Sequence, residues 1–227
     1  MTRTTNARIA GFTFLFYIAA GVVSMILFGR ATGGEGTAAN LAGIAQHATD
    51  VRITILLTLL AGLAALVLAV TLYAITREQD PDLAMLALAC RLTEGIASFG
   101  VLATVGLLWL ATNTRPNTPD PATTQAIGAF LFKIQSWNPI IAATFFAVGS
   151  TLFSWLLLRG GMVPLALASL GVVASVLLVV VLPLQLAGFL GGPITLLVWL
   201  PMLVFEVTLA LWMIIRGVGI PGRMQSA

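Results

Sequence analysis

The chain has 227 residues, of which 59% are hydrophobic and only 8% charged, with a net charge of +3 and a mean hydropathy of +1.04. A soluble domain averages about 25% charged residues, so this chain lacks the polar surface that water demands, and the bilayer must be its solvent. Most of the few basic residues sit near helix ends and no basic cluster with interleaved aromatics is present, so nucleic-acid binding has no support, and the single cysteine, Cys90, excludes an internal disulfide or a multi-cysteine metal site.

A basic head, 1–8, precedes an apolar run at 9–28 that is too long for a signal-peptide core. It is the first predicted span. A Gly-rich turn (ATGGEG) and the segment TAANLAGIAQHATD follow. That segment sets Leu41, Ile44, Ala45 and Ala48 at helical spacing, predicting a short helix over 38–50 that lies in the outer interface. The second span, 51–75, carries a small-residue stripe (Ala61, Ala65, Ala69) suited to close helix packing. REQDPD is a tight turn, with Pro81 placed at a helix start.

The third span, 83–111, is the unusual one, because Arg91 and Glu94 lie inside it. Three apart, they share one helix face. A charge near the centre of a span costs roughly 2.5–3.5 kcal/mol on insertion scales, so each needs a partner or a function.

TNTRPNTPDPATT reads as an aqueous loop. Beyond it, Asn138-Pro139 looks like a helix start, which predicts a second interfacial helix over 125–137 and a fourth span over 139–158. The competing arrangement is one long helix kinked at Pro139. The fifth span, 164–186, opens at Pro164 and bends near Pro183. The sixth, 194–215, holds Pro201 and Glu206. Pro201 is expected to free a carbonyl beside that glutamate. The fold class is therefore all-α: a single polytopic bundle of six spanning helices plus one or two outer interfacial helices.

With the N-terminus inside, Arg3, Arg8, Arg77, Arg159, Arg216 and Arg223 face the cytoplasm, and Arg30, Arg52, Arg115 and Lys133 face out. Six against four places both termini on the cytoplasmic side of the cell inner (plasma) membrane. At 1.5 Å per residue, Arg91 then lies about 12 Å deep, Glu94 about 16 Å and Glu206 about 15 Å from the same side. The three are expected to form one buried polar cluster, with Arg91 hydrogen-bonded between two carboxylates. Two desolvated carboxylates sharing one cation titrate as a coupled group, which leaves room for one to be protonated. Such a cluster serves either as an ion, proton or headgroup site or as static glue that sets helix register. Glu94 and Glu206 also occupy third helices of two halves, as in an inverted repeat, although the flanking residues share little.

Asp50, Arg52 and His47, at the outer edge of the second span, form a candidate outer gate or anchor set. A lone histidine makes neither a zinc nor a bis-histidine haem site, and no cofactor is expected. No G-x-x-x-x-G-K-[ST], H-E-x-x-H, G-x-S-x-G or C-x-x-C motif is present.

Three stretches, ACRLTEGIASFG, FFAVGSTLFSWLLLRGGMVPLALASLGVV and FEVTLALWMIIRGV, resemble bacterial integral membrane proteins of the domain-of-unknown-function 4386 family. By that resemblance Arg91, Glu94, Glu206 and Arg52 match positions the family tends to hold polar. The turn after the fourth span, Gly160-Gly161-Met162-Val163-Pro164, departs from the family's S-G-x-L-P form. The resemblance implies topology and site residues but no activity. A small transporter or proton-coupled permease using the cluster, and an accessory or sensor subunit in which the cluster is structural, both fit. An intramembrane enzyme would need a nucleophile or metal near Glu94 or Glu206, and none is read there. The implied partners are membrane lipid, a small molecule or proton, and a second copy of the chain or another membrane subunit.

Overall fold

The computed structural model describes residues 2–97, 100–113 and 120–219, and every regular element within them is helical. In chain order these are α1 (Arg3–Ala31), α2 (Gly36–Gln46), α3 (Ala48–Thr76), α4 (Pro81–Ala97), α5 (Gly100–Thr112), α6 (Pro121–Arg159), α7 (Leu165–Leu186), α8 (Ile194–Leu197) and α9 (Leu200–Ile215). Six helical stretches are long and apolar enough to cross a membrane, with α4–α5 forming one and α8–α9 another. The chain is an all-α, multi-pass membrane protein. The expected positions of Arg115 and Arg223 lie outside the described residues.

By compactness the chain divides into two units. The first comprises 1–17, 63–96 and 140–227, and the second 18–62 and 97–139. Helices α1, α3 and α6 each contribute to both.

The first unit is built on a core of Phe14 from α1, Leu68 and Leu72 from α3, Ala84 and Ala87 from α4, Phe146 and Phe153 from α6, Leu178 from α7, and Phe205 and Leu209 from α9. Glycines allow the closest approaches. A Cβ on Gly171 of α7 would lie 2.4 Å from the Phe205 ring, and one on Gly11 of α1 would lie 2.6 Å from the Ala210 carbonyl of α9. One end of this unit is tied by polar contacts. Arg3 pairs with Glu78 at 2.8 Å and donates to the carbonyls of Ile75, at the end of α3, and of Gly219. Arg159 meets Asp80 at 3.5 Å.

In the second unit, α2 packs on α5 and buries Leu41 and Ile44. Ala45 of the predicted stripe is exposed instead. The short helix ends at Gln46, so Ala48–Asp50 begin α3 rather than finishing α2. Gly43 touches the end of α1 so closely that a Cβ would sit 2.4 Å from the Ala31 carbonyl.

The larger correction concerns residues 125–137. They are not a separate interfacial helix, because α6 runs unbroken from Pro121 to Arg159 with Pro139 inside it. Asn138-Pro139 mimics a start signal, but the real one is Asp120-Pro121. The Asp120 Oδ1 accepts from the Ala122 and Thr123 amides at 3.0 and 3.1 Å, and its Oδ2 from the Thr123 hydroxyl at 2.6 Å. The same dipeptide starts α4, where Asp80 Oδ1 accepts from the Leu83 amide at 3.1 Å. Carrying a proline through α6 removes one backbone bond, whereas ending and restarting a helix would strand several groups on each side. Pro201 likewise lies in the first turn of α9, where a missing N–H costs little, so it opens no carbonyl in the turn of Glu206.

Candidate functional site

The first unit gathers the ionisable residues that the apolar spans would be expected to exclude. Arg91 and Glu94 sit on the inward face of α4, 1% and 3% exposed, and Glu206 on α9 is 7% exposed. Arg91 is among the largest fully buried side chains in the protein. Its stem lies along α6 at Gly149, where a Cβ would be 2.9 Å from Arg91 Cγ and 3.2 Å from the Ala87 carbonyl. Its guanidinium carbon stands 4.7 Å from the centre of the Phe146 ring, a cation–π contact that strengthens away from water. Phe146 in turn meets Trp199 at 6.2 Å between ring centres.

Arg91 Nη1 is 2.9 Å from Glu94 Oε2. The contact is an ion pair by distance, yet its direction does not make a hydrogen bond, and Nε and Nη2 also donate to no described residue. Glu94 is held from the other side by Tyr17 of α1, whose hydroxyl donates to Oε1 at 2.9 Å. Glu206 lies close enough to feel the charges of Arg91 and Glu94, but it forms no ion pair or hydrogen bond among the described residues, and its Oε1 is buried without a partner. Where the sequence leads to an arginine hydrogen-bonded between two carboxylates, the structure places Arg91 at ion-pair distance from Glu94 without a hydrogen bond, and in no such contact with Glu206.

Three members were missed in the sequence: Tyr17, Phe146 and Gly149. Tyr17 had a readable signal. It is one of two tyrosines, and nine residues beyond Arg8 it would lie about 14 Å deep by helical rise, level with the charges. Nothing local marks Phe146 or Gly149, because their role depends on α6 facing α4.

The outer candidates belong to the second unit. His47 Nδ1 stands 3.6 Å from Asp50 Oδ2 across one helical turn. Arg52 is exposed and pairs with neither. That unit also holds a cleft of about 330 Å³ between α2, α5 and the start of α6, lined by Leu41, Trp109, Asn113 and Gln125 among others. None of Arg91, Glu94 and Glu206 lines it. Among the described residues no group of three or more His, Cys, Asp or Glu side chains could hold a metal ion.

No curated protein and no solved structure matches the chain. The family profile described as a domain of unknown function matches residues 9–217, a stretch that contains Tyr17, Arg91, Glu94, Phe146, Gly149 and Glu206. The chain therefore belongs to the family Domain of unknown function (DUF4386).

Proposed function

We propose that this protein is a small membrane transporter whose Arg91 centre engages a polar solute inside the bundle. The observation that carries this reading is the unused capacity of a buried guanidinium. Arg91 is 1% exposed, yet none of its nitrogens makes a directed hydrogen bond to a described residue. Unmet donors on a charged group are costly in an apolar interior, so a site keeps them only where something else engages them. Intramembrane ionisable residues serve solute and proton paths more often than they serve packing.

The test is transport by purified protein in liposomes, read as charge movement or counterflow over a panel of small carboxylates, amino acids and organic cations. At least one solute should move with the wild type and not with Arg91→Met. The Gly149 slot and the Phe146 contact favour a second reading, in which Arg91 fixes helix register within an accessory subunit. That reading gains if no solute moves and the Arg91→Met/Glu94→Gln double variant is still less stable than the wild type.

A further inference from the structure

We propose that Glu206 is a proton-binding site, carrying one exchangeable proton that the rest of the cluster is built to balance. This rests on the transport reading only for its consequence, proton coupling. The charge count comes first. Along the parts of α1, α3, α6 and α7 that line the first unit between their ends, the only ionisable side chains are Tyr17 and Tyr73, while α4 adds Arg91, Glu94 and Cys90. Arg8 is exposed, and Arg3, Glu78, Asp80 and Arg159 are engaged with one another at the helix ends. One guanidinium therefore faces two carboxylates, and the surplus is a single negative charge.

Geometry decides which carboxylate takes the proton. Glu94 is fixed between Arg91 and the Tyr17 hydroxyl, each at 2.9 Å. Glu206 has neither contact, and its buried Oε1 has no partner. An uncompensated carboxylate in such a setting is far costlier than a neutral acid. With the proton on Glu206, the cluster is neutral.

The unused donors then acquire a purpose. When the Glu206 O–H bond breaks and the proton passes to water, the carboxylate left behind draws hydrogen bonds from Arg91 Nε and Nη2, which no described residue occupies. Arg91 moves from one carboxylate toward sharing two. A proton gained or lost at α9 is thereby transmitted to α4, two discrete arrangements of the kind a coupled transporter requires.

Infrared spectroscopy of the purified protein in lipid at neutral pH tests this through the C=O stretch of protonated carboxyl groups. The wild type should show one such group per chain and Glu206→Gln none. Arg91→Met, which leaves two carboxylates without a cation, should show two. If Glu206→Gln fails to fold, Glu206→Asp substitutes, and the band should shift in frequency. A wild type with no protonated carboxyl, or a band that survives Glu206→Gln unchanged, overturns the proposal. Coupling is read separately, as acid-driven accumulation of a transported solute that Glu206→Gln loses while solute exchange persists. The infrared pattern without any solute movement would leave the proton site standing and remove the transport reading, and solute movement with the wrong pattern would do the reverse.

Discussion

Gly149 of α6 gives Arg91 its place, since a Cβ there would meet Arg91 Cγ at 2.9 Å, Cδ at 3.1 Å and the Ala87 carbonyl at 3.2 Å. Gly149→Ala should lower the unfolding midpoint in mild detergent, by the roughly 1–3 kcal/mol typical of overpacking. Gly21→Ala is the control: nothing lies within 4 Å of its added methyl, and alanine is the better helix former. Equal effects at the two glycines would mean that the slot is not formed. The ion pair obeys a different rule. Removing one partner of a buried pair strands the other, at roughly 3–5 kcal/mol, whereas removing both does not. Arg91→Met should therefore be the most damaging single change, and Arg91→Met/Glu94→Gln should recover part of the loss. Losses additive to within about 0.5 kcal/mol would show Arg91 and Glu94 to be uncoupled.

Helix α6, at 39 residues, extends about 58 Å by helical rise, well beyond a hydrocarbon core of about 30 Å. Its apolar portion after Pro139 holds no charge before Arg159 and is by itself long enough to cross. The portion before it, with Lys133, Gln135 and Ser136, belongs to the same continuous helix. Spin labels at Phe130 and Trp155, both exposed, should lie about 38 Å apart along a straight helix. A distance well short of that would restore a break at Pro139. The start of α6 has its own pH signature. The Thr123 hydroxyl and amide hold Asp120 below the usual carboxylate range. A carboxylate lowered in the fold contributes stability above its ordinary range and loses it as pH falls through the folded value. Amide protection factors (exchange corrected for the intrinsic pH dependence) over the first turn of α6 should therefore fall on acidification, and Asp120→Ala should abolish that dependence. An unchanged acid profile in the variant would discard the cap.

At the scale of the molecule, the arginines assigned to one side by counting also do specific work. Arg3 caps the end of α3 at Ile75 and pairs with Glu78, and Arg159 pairs with Asp80. These contacts hold the helix ends together and carry no sidedness; the Lys/Arg count alone leads to the expectation that both termini are cytoplasmic. Reporter fusions at Gly34 should read extracytoplasmic and at Gln79 cytoplasmic. The same scheme puts Asn117 outside and Gln225 inside, at positions outside the described residues. Reversal at Gly34 and Gln79 together would invert the protein.

The number of spans, the short helix before α3 and the burial of Arg91, Glu94 and Glu206 were legible in the sequence. Transfer into hydrocarbon is a cost summed residue by residue along the chain, so a run of apolar residues and an exception within it are both local facts. Even the Arg91–Glu94 contact is local, since three residues make most of one turn. What the tertiary structure alone decided is who stands opposite. Tyr17 on Glu94, Phe146 under Arg91, the slot at Gly149 and the isolation of Glu206 from Arg91 all depend on how each helix is rotated and which neighbour it faces. The continuity of α6 through Pro139 has the same origin. Asn138-Pro139 and Asp120-Pro121 are equivalent start signals by sequence, and the environment that makes a broken backbone costly chose between them.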